Sequence, residues 1–346
     1  MDSHTPQKVL ITGAGGFIGS HLVADQLGRG RRVIALDLHT ERLHPLLSAA
    51  GLELLSGDVA DEELQRRALE GVDTVFHLAA AHLSVKARAG EFARVNVEAV
   101  RRLVAASRRC GVRRFVHCSS VGVHGTIVHP PANEDSPCQP QIPYERTKLE
   151  GERLVLDAAR RTGFPAVVIR PVWVYGPGCP RTEKLFRAIA KGRFVVAGAG
   201  GTLRHCVYIR DMLDAFDLAA TKDLALSQVL IVGEAEAVTV RRLVDEIARL
   251  TGARPPRSAP SALLHAAGWA AELLWKPLGQ EPPLSRRTLK FFTGNTAFDI
   301  GRARRLLGYE PRYDLRSGLR ETHWILSGDR PPLPLPAPLG PEGHLA

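Results

Sequence analysis

Tyr144 and Lys148 stand four residues apart in Pro143-Tyr-Glu-Arg-Thr-Lys148, the spacing that sets two side chains on one face of a helix. A cation beside a phenol favours the phenolate, so the pair predicts a tyrosine whose pKa falls below its ordinary value of about 10. A phenol tuned this way moves a proton on and off a substrate oxygen near neutral pH. Ser120, in Cys118-Ser-Ser-Val-Gly-Val-His-Gly125, has a hydroxyl that can hydrogen-bond the same oxygen. Structurally, the same residues would be a surface aromatic and cation pair and a turn serine.

A second group lies near the start, in Thr12-Gly13-Ala-Gly15-Gly16-Phe17-Ile18-Gly19. Glycines 13, 16 and 19 follow an apolar run and open an amphipathic one. There they permit a tight turn, a close backbone approach to a pyrophosphate and tight helix packing, with the N–H groups of the helix start facing the phosphates. Asp37 ends the next apolar run and can accept both ribose hydroxyl hydrogens. Its charge opposes a 2′-phosphate, which favours NAD over NADP, although Arg31, Arg32 and Arg42 lie nearby in sequence. Asp58-Val59 and Leu78-Ala79-Ala80 fall at the ends of later runs, where an open sheet binds its ligand. Asp58 is a candidate for the adenine. His77 reads as a satisfied core histidine with no assigned chemistry.

The elements that must position these residues alternate between short apolar runs and longer amphipathic stretches, the pattern of a parallel sheet with crossover helices. Strands are predicted at Val9–Thr12, Arg32–Asp37, Leu52–Leu55, Thr74–Leu78, Phe115–Ser119 and Ala166–Arg170. Helices are predicted at Gly16–Arg29, Asp61–Glu70, Glu91–Cys110 and Tyr144–Arg161. The fold class expected is α/β, a doubly wound parallel sheet of the Rossmann type, with a smaller C-terminal α/β substrate lobe. Residues 1–171 would form the NAD-binding domain. Residues 172–330 would form most of the substrate lobe, with helices at Thr182–Lys191, Asp211–Thr221 and Thr239–Leu250, and some segments returning to the core. Ala262–Trp275 is apolar nearly all round and reads as a buried core helix, with a greasy pocket or interface as the other reading. The Pro-rich stretch 331–346 reads as disordered.

Composition narrows the classes. At 346 residues and 45% hydrophobic content the chain is globular, long enough for a large domain plus a smaller lobe around a cleft. No apolar run reaches the roughly 20 residues of a membrane span, and the start is too short and polar for a signal peptide, so the chain reads as cytoplasmic. Five cysteines without a CxxC spacing argue against a disulfide framework and a zinc site, so no metal is expected. The net charge of +10 is scattered without a block of five basic residues, and aromatics make up 6%. That argues against nucleic-acid binding and for a mild positive field around an anionic cofactor or substrate.

Together these residues resemble the extended short-chain dehydrogenase/reductase superfamily, across Lys8 to Leu326. Its TGxxGxxG matches Gly13, Gly16 and Gly19, its catalytic Ser/Thr matches Ser120, and its YxxxK matches Tyr144 and Lys148. Asn96, Arg170-Pro-Val-Trp-Val-Tyr-Gly-Pro-Gly178 and Arg204-His-Cys-Val-Tyr-Ile-Arg-Asp211 match less specifically. The resemblance implies Tyr144 as acid/base, Lys148 also holding the nicotinamide ribose, Ser120 positioning the substrate oxygen, NAD as cofactor and a small-molecule substrate. It also implies a possible homodimer, with the helices at Glu91 and Tyr144 as candidate surfaces. Val121-Gly122 replace the Asp-Glu pair of sugar dehydratases. Pro283-Leu-Ser-Arg286 before Phe291, and Ala303 to Pro311, are similar to the branch of 3-beta-hydroxysteroid dehydrogenases and sterol-4-alpha-carboxylate 3-dehydrogenases. Ala262–Trp275 also suits a lipophilic substrate or a membrane surface. A nucleotide-sugar epimerase, with Arg204 meeting a diphosphate, is the alternative, and a catalytically silent cofactor sensor is a further one.

Overall fold

The computed structural model describes residues 4–81, 90–275, 289 and 292–329. Its strands β1 (Lys8–Thr12), β2 (Arg32–Asp37), β3 (Leu52–Ser56), β4 (Thr74–His77), β5 (Arg114–Cys118) and β6 (Ala166–Pro171) are joined by a seventh, Val229–Val232. All seven run parallel, in the order seventh, β6, β5, β4, β1, β2, β3. The chain winds outward from β1 to β3, then crosses back to lay β4 beside β1. The crevice where the winding reverses lies outside the carboxyl ends of β1 and β4, which is where such sheets bind ligands.

The sheet is covered on both faces, which accounts for its unbroken Val, Ile, Leu and Phe runs. Successive residues of one strand feed opposite cores: Val9 and Ile11 join one apolar cluster while Leu10 joins the other. The helices are α1 (Phe17–Gly28), α2 (Glu62–Ala68), α3 (Glu91–Ala93), α4 (Ala99–Arg109) and α5 (Pro143–Thr162), then α6 (Pro180–Ala190), α7 (Ile209–Thr221), α8 (Val240–Leu250) and α9 (Ser261–Trp275). Two more follow at Gly301–Leu307 and Leu315–Leu326. A π-helical turn, Arg94–Glu98, joins α3 to α4 within the single helix expected there.

Beyond β6 the chain makes three two-stranded ribbons. Trp173–Tyr175 pairs with Cys206–Tyr208, Leu203–Arg204 with Val238–Thr239, and Val195–Ala197 with Arg257–Ala259. The seventh sheet strand comes from this second half and was not foreseen. Helix α9 departs further from expectation: Leu263, Trp269 and Leu273 are 62%, 59% and 59% exposed, and of its residues only Gly268 is buried among those described. It is not a core helix. Pro283–Arg286, Phe291 and the stretch 331–346 lie outside the described residues.

Candidate functional site

The loop after β1 is shaped by its glycines. Gly13 has φ +73°, and a Cβ there would lie 2.6 Å from the backbone nitrogen of Ala79 and 2.7 Å from the carbonyl carbon of Leu78. The turn therefore presses on the end of β4. A Cβ on Gly19 would lie 2.0 Å from the Gly13 carbonyl oxygen, so α1 approaches the loop as closely as only glycine allows. No side chain caps α1 and no acid stands in its first turn. Gly16 N donates to the Gly13 carbonyl at 3.1 Å, and the N–H groups of Phe17 and Ile18 are left for an anion.

Asp37 closes the loop from β2. Its Oδ2 accepts from Gly15 N at 2.9 Å and its Oδ1 from His39 N at 2.9 Å, which aims the carboxylate with one lone pair of each oxygen still open. Arg31 and Arg32 sit at the opposite end of β2, and Arg31 pairs with Asp217 at 2.6 Å. Arg42 donates to the Gly178 carbonyl at 2.9 Å. Arg31 and Arg42, two of the basic residues expected to soften the NAD preference, are therefore turned to other tasks. Asp58 accepts from Ala60 N at 2.8 Å and from Arg94 at 2.6 Å, and Val59 is buried beside it. Leu78 and Ala79 line the crevice, donating to the Thr12 carbonyl at 3.0 Å and the Thr12 hydroxyl at 3.3 Å. Ala80 follows, half-buried.

Tyr144 and Lys148 lie in the first turns of α5. Pro143 starts that helix and Glu145 caps it, its Oε2 accepting from Gln141 N at 2.7 Å and Ile142 N at 3.3 Å. Ser120 caps the short 3-10 turn Val121–His124, its Oγ accepting from Gly122 N at 3.0 Å. That turn packs on α5: a Cβ on Gly122 would lie 3.2 Å from Ser120 Oγ and 3.4 Å from Glu145 Cγ. Buried Lys148 donates to the Cys118 carbonyl at 2.6 Å. The ammonium is thereby aimed at the end of β5, and burial lowers its pKa. Burial also pushes the Tyr144 phenol up to about 12, with Arg181 pulling weakly the other way. This reverses the lowered phenol pKa read from the spacing, because helix spacing says nothing of how dry the site is.

Residues not singled out for a role hold this group together. Buried Asn96, in the π turn, accepts from Ala81 N at 2.8 Å and donates to Thr147 Oγ1 at 3.0 Å, joining the end of β4 to α5. Glu152 extends the Tyr144 and Lys148 line by one more turn. Its Oε2 accepts from Ser119 Oγ at 2.7 Å and from Arg170 Nε at 3.0 Å, and Arg170 donates also to Oε1 and, at 3.0 Å, meets His124 Nε2. One buried arginine thus joins the α5 helix, β6 and the turn after Ser120. The i, i+4, i+8 spacing from Tyr144 was the signal that could have found Glu152. His77 is buried, with Nδ1 bonded to Thr12 Oγ1 at 2.7 Å, but its Nε2 has no hydrogen-bond partner among the described residues, and its ring stacks on His117 at 5.3 Å. It is only half satisfied. Arg204 is buried, donating to Thr296 Oγ1 at 3.0 Å and the Gly294 carbonyl at 3.4 Å.

Known proteins show the same plan. Residues 9–233 match the model of the NAD dependent epimerase/dehydratase family. The chain is 31% identical over 334 residues to a 3 beta-hydroxysteroid dehydrogenase/Delta 5-->4-isomerase of Mycobacterium tuberculosis, covering 91% of this chain and 89% of that one. It is 32% identical over 337 residues to a UDP-glucose 4-epimerase of Mycolicibacterium smegmatis, covering 91% and 97%. Among solved structures it resembles MoeE5 in complex with UDP-glucose and NAD, at 32% identity and a TM-score of 0.73, covering 93% of this chain and 99% of that one.

Proposed function

This chain belongs to the NAD-dependent epimerase/dehydratase family, the extended short-chain dehydrogenases/reductases, and from that membership we propose an oxidoreductase that interconverts a secondary alcohol and a ketone on a lipophilic substrate of the 3-beta-hydroxysteroid or sterol-carboxylate type. NAD supplies the hydride acceptor or donor. Gly13, Gly15, Gly16, Phe17, Ile18 and Gly19 would hold its pyrophosphate and Asp37 its adenosine ribose. Asp58 and Val59 would flank the adenine, with Leu78, Ala79 and Ala80 along the crevice.

In the direction of oxidation Tyr144 removes the substrate hydroxyl proton, and in reduction it returns one. Ser120, poised where β5 gives way to the turn on α5, hydrogen-bonds the same oxygen. Lys148 anchors at the Cys118 carbonyl, and its remaining N–H groups would hold the nicotinamide ribose.

The observation behind the lipophilic reading is Arg204. It was the expected clamp for a sugar-nucleotide diphosphate, yet it is buried and donates to Thr296 and the Gly294 carbonyl. Val121-Gly122 in place of an acidic pair speaks against dehydration. A second reading, a nucleotide-sugar epimerase with tightly held NAD, draws support from the likeness to MoeE5 with UDP-glucose. Incubation with NAD and a panel of 3-beta-hydroxysterols, then UDP-sugars, separates the two by cofactor absorbance. A dehydrogenase accumulates NADH, whereas an epimerase regenerates its cofactor. Silence with sterols together with a converted sugar would overturn the first reading.

A further inference from the structure

Helix α9 turns an apolar face to water. Leu264, Gly268, Ala271, Glu272 and Trp275 share the inward side at helical spacing, and Glu272, the helix's one acid, is among them. The opposite side presents Ala262, Leu263, Ala266, Trp269, Ala270 and Leu273, every one exposed and none polar. Exposed Ser261 and His265 flank this face without interrupting it, and so wide an apolar surface turned to water marks a contact surface rather than a solvated one.

What surrounds the base of the helix identifies the contact. Residue 261 directly follows the ribbon of Val195–Ala197 and Arg257–Ala259, in which Val195, itself 42% exposed, lies opposite Arg257. Around that ribbon Lys191, Arg193, Arg254 and Arg257 are all exposed, and none has a carboxylate within ion-pair distance among the described residues. An apolar face bearing a tryptophan, beside unneutralised cations, complements a bilayer surface carrying anionic headgroups. At 15 residues α9 is about 22 Å long, and no helix among the described residues is long and apolar enough to cross a membrane. A helix of this kind lies in the interface, with its indole at headgroup depth. We propose that the outward face of α9, with its basic collar, docks the protein peripherally on membranes containing anionic lipid. Nothing in this depends on which alcohol the site oxidises.

Sedimentation with phosphatidylcholine vesicles, made with and without phosphatidylserine, tests the proposal on the full chain. The wild type should pellet with the phosphatidylserine vesicles and far less with phosphatidylcholine alone. W269E/L273E should weaken that partition by at least about tenfold, and R254Q/R257Q by roughly tenfold, as should added salt. All substituted side chains are exposed, and unchanged circular dichroism and NAD binding would show that the variants fold. Equal pelleting of W269E/L273E, or no pelleting of the wild type, would overturn membrane docking. So would light scattering that reports a dimer which W269E/L273E converts to monomers without any vesicle binding, since the face would then belong to a second copy.

Discussion

At the scale of single residues, the chemistry turns on Tyr144 and on how dry its surroundings are. With the phenol pushed up to about 12, Tyr144 enters the neutral range protonated. Its acid form then serves ketone reduction directly, while alcohol oxidation needs the scarcer phenolate and should accelerate as pH rises toward that value. Tyr144→Phe should lower turnover by about 10²-fold or more and abolish this pH slope, with NAD binding retained. Steady-state rates across pH and a cofactor titration check both. The placing of the tyrosine and its lysine on one helix face was legible from a four-residue spacing, but the direction of the pKa was not, since burial arises only once the chain is folded. The place of Asp37, the acid ending the second strand after the glycine loop and its helix, was legible. Asp37→Ser should narrow the NAD over NADP preference by about tenfold or more, because it removes a charge that repels a 2′-phosphate. The ratio of kcat/KM for the two cofactors measures it.

At the scale of elements, α5 does more than carry two reactive groups. Through Glu152 it is tied to Arg170 on β6 and Ser119 at the end of β5, and through Arg170 to His124 in the turn that Ser120 begins. Removing one partner of such a buried pair leaves a charge uncompensated, at a cost of about 3–5 kcal/mol. Glu152→Gln should accordingly lower stability by that order in urea unfolding. In the folded fraction kcat should drop with the KM for NAD little changed, because the shift falls on the spacing of Ser120 and Tyr144. The strand and helix sequence up to β6 was readable because each run is long or strongly apolar. The seventh strand was missed because Val229–Val232 lies in the irregular second half, and its partner β6 lies some sixty residues earlier in the chain. The burial of Ala262–Trp275 was misread for the opposite reason: composition reports that a helix is apolar, not whether anything within the chain covers it.

For the molecule as a whole, pH dependence of stability should centre on the second half of the chain. Glu234 follows the seventh strand, is buried, and accepts from the Tyr175 hydroxyl at 2.8 Å. Burial pushes its carboxyl from an ordinary 4.5 to about 8. The folded chain therefore holds this proton more tightly than the unfolded chain does. The resulting stabilisation is complete below pH 4.5 and is lost as pH rises through about 8. Glu234→Gln, which mimics the protonated acid, should flatten that decline, and thermal unfolding followed from pH 5 to 9, roughly the window in which the proton leaves, reads it out. The sheet adds a constraint on how the protein comes into being. Because Val229–Val232 closes the edge of β6, the sheet that carries the cofactor crevice is completed by a segment made much later. A nascent chain ending near residue 171 would present β6 as an open edge, all six of its residues otherwise buried, ready to pair with a neighbour. Translation must reach the far side of residue 232 before that edge is covered.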